Sequence, residues 1–89
     1  MPEITLVVRH EAGLHARPAA LFVNTAKRFE CEIRVTHDES EANAKSILSV
    51  LTLGANRGAE VTVRAEGQDA DEALDALTRL VQSDFEVEG

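Results

Sequence analysis

Runs of alternating apolar and polar residues recur along this chain, separated by stretches whose apolar residues fall at helical spacing. Ile4, Leu6 and Val8 alternate with Thr5, Val7 and Arg9. Ile33 and Val35 share one face of residues 32–37, and Val61, Val63 and Ala65 share one face of a last run. Such period-two alternation marks a strand with one buried and one solvated face. Residues 16–28 read instead as a helix. Pro18, Phe22, Thr25 or Ala26, and Phe29 lie at helical spacing with Ala19 and Val23 beside them. Pro18 sits in the first turn, where its missing N–H is tolerated. Residues 46–53 read as a short helix capped by Ser46 and stopped by Gly54. Residues 69–82 form the third helix. There Ala73, Leu74, Leu77, Leu80 and Val81 make one apolar stripe, and Asp69 with Glu72 is expected to form a capping box. Residues 38–40 are a polar turn and 41–44 a short edge strand.

The order is therefore β-α-β-β-α-β-α. It predicts an α+β fold: an open-faced β-sandwich, with an antiparallel four-stranded sheet covered on one face by three helices. Residues 1–89 are expected to form a single domain. Ferredoxin-like and small-ligand regulatory domains share this outline, so function has to be argued from the site.

Size and charge narrow the function. A chain of 89 residues buries roughly 60–65% of its unfolded surface. That suffices for one two-layer core but not for a deep catalytic cavity, so any chemistry is shallow and a partner supplies the other reactant. A net charge of −7 disfavours nucleic acid and anionic membranes as partners. Cys31 is the sole cysteine. No intrachain disulfide exists, and the thiol, in an apparent strand, reads as buried and inert. The opening MPEITLVVRH does not read as a signal peptide. No apolar run reaches the ~20 residues of a membrane span. A cytoplasmic location and no membrane insertion are expected.

The chemistry concentrates at His10-Glu11-Ala12-Gly13-Leu14-His15-Ala16-Arg17-Pro18. Gly13 permits a turn other residues resist. His15 occupies the N-cap position of the first helix, where histidine is a poor choice on stability grounds. The first turn of a helix, however, offers unpaired N–H groups with partial positive charge, which suits an anion. The N–H groups of Ala16 and Arg17 can contact a phosphoryl group on the His15 ring, and the Arg17 guanidinium adds a fork for phosphate oxygens. The same positive end keeps the His15 imidazole neutral and nucleophilic. His10 and His37 read as solvated. No HxxH, HExxH or CxxC occurs, so neither a metal nor another cofactor is expected. The short helix carries five aliphatics in eight positions. Leu48 cannot be buried together with Ile47, Val50 and Leu51, so an exposed apolar patch is expected, as at a protein docking site.

The run Gly13-Leu14-His15-Ala16-Arg17-Pro18-Ala19-Ala20 resembles the active-site signature of HPr, the histidine-containing phosphocarrier family of the bacterial phosphoenolpyruvate-dependent sugar phosphotransferase system. Ala44-Lys45-Ser46-Ile47-Leu48 followed by Leu53-Gly54 resembles the family's second helix. Residues 58–63 and 65–67 resemble its last strand and turn. The resemblance implies a carrier rather than an enzyme. Enzyme I would phosphorylate His15, on Nδ1 in the family, and enzyme IIA components would accept the group. Arg17 would stabilise it. Ala16, Ala20, Ile47, Leu48 and Leu51 would dock both partners on a monomer. Ser46 matches the family's regulatory phosphorylation site, served by HPr kinase/phosphorylase. The tail Ser83-Asp84-Phe85-Glu86 resembles the nitrogen-branch carrier NPr more than the sugar branch. Ala12 departs from relatives that place Ser or Asn there, and Asn24 and Ser49 stand where some relatives carry Lys. Two other readings compete: a non-carrying regulator acting through the Ser46 helix, and a small-ligand regulatory domain.

Overall fold

The computed structural model describes residues 2–9, 13, 16–83 and 85. Strands β1 (Glu3–Val7), β2 (Glu32–His37), β3 (Ser40–Asn43) and β4 (Glu60–Glu66) form one sheet in the order β1-β4-β2-β3. Every neighbouring pair is antiparallel, with Thr5 opposite Thr62, Thr62 opposite Thr36, and Val35 opposite Ala42. Helices α1 (Ala16–Ala26), α2 (Ile47–Thr52) and α3 (Ala70–Gln82) pack on one another and on the sheet. This is the expected open-faced arrangement.

The alternation in the strands is what builds it. Leu6, Ile33, Val35, Val61, Val63 and Ala65 are buried, whereas Glu3, Thr5, Glu32, Arg34 and Glu66 between them are exposed. Phe22 from α1 and Leu77 from α3 enter the same core and are 0% exposed. On the open face, Arg34 pairs with Glu32 at 3.2 Å and with Glu41 at 4.0 Å, and Arg64 lies 3.6 Å from Glu3. These exposed pairs contribute little individually. They do keep Arg34 and Arg64, which face each other across β2 and β4, from repelling unopposed.

Several local expectations are corrected. Helix α1 ends at Ala26, two residues early, because residues 27–28 form a turn. Helix α2 begins at Ile47. Ser46 is its N-cap, with Oγ accepting from Ser49 N at 3.4 Å, and Gly54 follows the Leu53 C-cap with φ +67°. Strand β3 starts and ends one residue before the expected 41–44. Cys31 lies in the turn before β2, not in the strand, although it is buried as expected. His37 is not solvated: its side chain is 18% exposed, with Nδ1 3.2 Å from the Glu60 carbonyl and Nε2 3.5 Å from Asp38.

The capping box of α3 is absent. Asp69 is the N-cap, yet its side chain makes no cap hydrogen bond. Instead its carboxylate accepts from Glu30 N and from Cys31 N, both at 2.9 Å. Lys45 Nζ donates to the neighbouring Phe29 carbonyl at 2.6 Å. The turn after α1 is thus held by side chains that precede α2 and α3. Burial, reinforced by the adjacent Asp69, pushes the Cys31 thiol up to about 11, so it is protonated and inert near neutrality.

The Glu30 N–H, then the Cys31 thiol and N–H, hold the Asp69 carboxyl below the usual aspartate range. A depressed folded-state pKa stabilises at pH above the unfolded value of about 3.9, and that stabilisation is lost as pH falls toward the folded one. Asp69→Asn is therefore expected to lower the melting temperature near neutrality. Its deficit against wild type should shrink as pH falls below about 3.9 toward the lowered folded-state value. Thermal unfolding across that range checks this; a deficit independent of pH would contradict it.

Candidate functional site

The N-terminal end of α1 follows from three sequence features. Gly13 has φ +65° and is buried. A Cβ there would stand 2.6 Å from the Ala55 carbonyl oxygen and 2.7 Å from Asn56 Cα. Gly13 therefore lies directly on the α2–β4 loop, at a distance only glycine allows. Pro18 and Ala19 are buried and seat the first turn, while Ala16 and Arg17 are exposed. No acidic residue occupies that turn, so its positive end is not neutralised locally. Among the described residues Arg17 forms no ion pair. His15, together with His10, Ala12 and Leu14, lies outside the described residues.

An apolar patch is exposed on α2 as expected, but it takes in Ile47 as well as Leu48, although Ile47 can share a face with the buried Val50. Ile47 is 39% and Leu48 73% exposed, whereas Val50 and Leu53 are buried. Leu51 and Ala20 are half-buried and Ala16 is exposed. Because α1 packs against α2, these side chains lie on adjoining helices. Ser46 is half-buried at the α2 N-terminus.

One feature escaped the motif-by-motif reading. No acid occurs between Glu11 and Glu30, or between Glu41 and Glu60, although the chain has 16 acidic residues. Those two segments contain α1 and α2 and hold Arg17, Lys27, Arg28, Lys45 and Arg57. Asn24 and Ser49 lie in these two helices, which carry no acidic residue. The signal was in the sequence, as a gap in acid placement rather than a motif.

The family model for the HPr component phosphorylation site of the phosphotransferase system matches residues 2–83. The chain belongs to the HPr family. It is 45% identical over 84 residues to phosphocarrier protein HPr of Treponema pallidum, covering 94% of this chain and 96% of that one. To the HPr-like protein Crh of Bacillus subtilis it is 46% identical over 77 residues, covering 86% and 91%. The crystal structure of HPr-C-His from Thermoanaerobacter tengcongensis superposes with a TM-score of 0.94 at 46% identity, covering 100% of both chains. The HPr family consists of phosphocarriers, and that general function holds here. Among the described residues no helix is long and apolar enough to cross a membrane.

Proposed function

We propose that this chain carries a phosphoryl group on a ring nitrogen of His15, received from phosphorylated enzyme I and passed to enzyme IIA components. The observation that carries this reading is the start of α1, an acid-free first turn with Arg17 exposed and without an ion pair among the described residues. In transfer, the imidazole lone pair forms an N–P bond as the bond between phosphorus and the donor breaks. The charge developing on the phosphoryl oxygens suits the Ala16 and Arg17 N–H groups and the Arg17 guanidinium. The protein supplies position and electrostatics while its partners supply turnover, so it is a carrier and not an enzyme in its own right. Ala16, Ala20, Ile47, Leu48 and Leu51 form the docking patch. The surrounding Lys and Arg side chains favour a partner with an acidic rim. The setting is cytoplasmic.

The test is direct. Incubation with purified enzyme I and phosphoenolpyruvate should add one acid-labile phosphate, and His15→Ala should abolish it. Phosphate persisting on that variant would sink the assignment.

Ser46 is the proposed regulatory site, and the HPr kinase/phosphorylase its modifying enzyme. A phosphate there adds about −1.5 to −2 charges beside Ile47 and Leu48, repelling an acidic rim. The Crh relative favours a second reading, in which the same helix also recruits a regulator. A pull-down that needs phospho-Ser46 and is indifferent to His15→Ala identifies that case.

A further inference from the structure

The fold engages some of the arginines of this chain and leaves others unpaired. Arg34 pairs with Glu32 and Glu41, Arg64 with Glu3, and Arg79 with Asp75. Arg28 lies over the Phe29 ring, 5.7 Å from its centroid. Arg9, Arg17 and Arg57 are exposed and form no ion pair among the described residues. They stay unpaired in a chain with 16 acidic residues against 9 basic ones.

The three gather at one end of the molecule. Residues 56–59 form a turn, closed by Ala59 N donating to Asn56 O at 3.0 Å. Arg57 takes its second position and Gly58 its third, at φ +88°, as a type II turn requires. Val8 ties this turn to the end of β1. Its carbonyl accepts from Gly58 N at 2.7 Å, and its N–H donates to Ala59 O at 2.9 Å. Arg9 is the next residue. On the other flank, Gly13 lies against Ala55 and Asn56. Four residues of chain reach at most about 14 Å, which bounds the distance from Gly13 to Arg17. Glu60 follows the turn, opposite Val7 in the ladder, and pairs with none of the three.

We propose, on the carrier reading above, that Arg9 and Arg57 extend the docking surface past α1 and α2 to the end of the sheet, as an arginine rim for an acidic face of the phosphoryl-donating partner. Charge complementarity argues for that occupant. Guanidinium forks on two separate exposed segments suit carboxylates spread over a protein face. The turn is fixed on both flanks before the partner arrives, so docking orders little backbone at Arg57. Rim charges act mainly on encounter and on its salt dependence. Arg9 and Arg57 therefore govern capture, while Arg17 serves the phosphoryl group itself.

Initial rates of phosphoryl uptake from purified enzyme I and phosphoenolpyruvate test this. Replacing both residues, Arg9→Gln with Arg57→Gln, is expected to raise the KM for this chain about tenfold at low salt and to leave kcat unchanged. The difference should vanish near 1 M salt, where the Debye length is about 3 Å. Arg9→Lys with Arg57→Lys keeps both charges and should recover most of the loss. Gln68→Glu with Gln82→Glu makes the same change in net charge around α3 and should leave KM within about twofold of wild type. Thermal unfolding checks that each variant folds, and single Arg9→Glu and Arg57→Glu variants give the same reading if the double glutamine variant does not. A wild-type chain that takes up no phosphate overturns the carrier reading and the rim with it. Wild-type uptake overturns the rim alone if the glutamine variant keeps its KM, loses kcat instead, or stays impaired at 1 M salt. An equal rise in KM for Gln68→Glu with Gln82→Glu does the same.

Discussion

Gly13→Ala is expected to destabilise the fold by about 3 kcal/mol and to slow phosphoryl uptake. Two costs add. An L-residue in the left-handed region costs roughly 1–2 kcal/mol, and Gly13 sits at φ +65°. Overpacking costs typically 1–3 kcal/mol. Here the new Cβ meets the Ala55 carbonyl oxygen at 2.6 Å and Asn56 Cα at 2.7 Å, which are backbone atoms that cannot rotate away. For a domain of this size, about 3 kcal/mol corresponds to a fall of roughly 12–24 °C in melting temperature. Gly54→Ala separates the two terms. Its φ is +67°, but among the described residues nothing beyond its chain neighbours lies within 4 Å of the added Cβ, so it carries the conformational cost alone. Thermal unfolding of the two variants checks the difference; equal losses would show that the approach to the α2–β4 loop is not tight. Uptake from enzyme I should slow more for Gly13→Ala than for Gly54→Ala, because relieving the overlap displaces Gly13 from the α2–β4 loop.

Leu48→Asp should leave stability within about 0.5 kcal/mol, as exposed substitutions generally do, yet weaken docking to enzyme I about 100-fold. Leu48 is 73% exposed, so folding gains little from it. A fully desolvated side chain at the centre of an interface can cost about 2 kcal/mol or more when truncated, and burying a carboxylate there adds its desolvation. A carboxylate in that place also opposes the acidic rim that the Lys and Arg side chains around α1 and α2 favour. Val50→Ala is the complementary case. Val50 is 0% exposed, so truncation leaves a cavity and costs roughly 1–3 kcal/mol of stability. Calorimetric titration with enzyme I, paired with unfolding of both variants, distinguishes them. Leu48→Asp binding as wild type does would remove α2 from the docking surface.

Helix α2 illustrates how a residue count can be read as surface. Five aliphatics in eight positions exceed what one buried stripe accommodates, and the excess emerged as Ile47 and Leu48. The strand faces were equally legible, since side-chain direction alternates residue by residue whatever the strand pairs with. The roles of His15 and Arg17 are of another kind. They rest on motif resemblance and on the physics of a helix start.

Asp69 and Glu72 have capping-box spacing, and a local rule expects the carboxylate to turn toward its own helix. It turns toward Glu30 and Cys31 instead. A carboxylate accepts from whichever N–H groups lie within reach, and those donors are 39 and 38 residues away in the chain. His37 is similar, since its cover and its Glu60 partner exist only once β4 lies beside β2.

By itself, then, the sequence determined the strand faces, the helix order, the surplus apolar helix and the family, because periodicity and short motifs are properties of neighbouring residues. Tertiary structure alone decided which groups hold the turn after α1 and how closely Gly13 meets the α2–β4 loop. Those depend on distances between segments that only folding brings together.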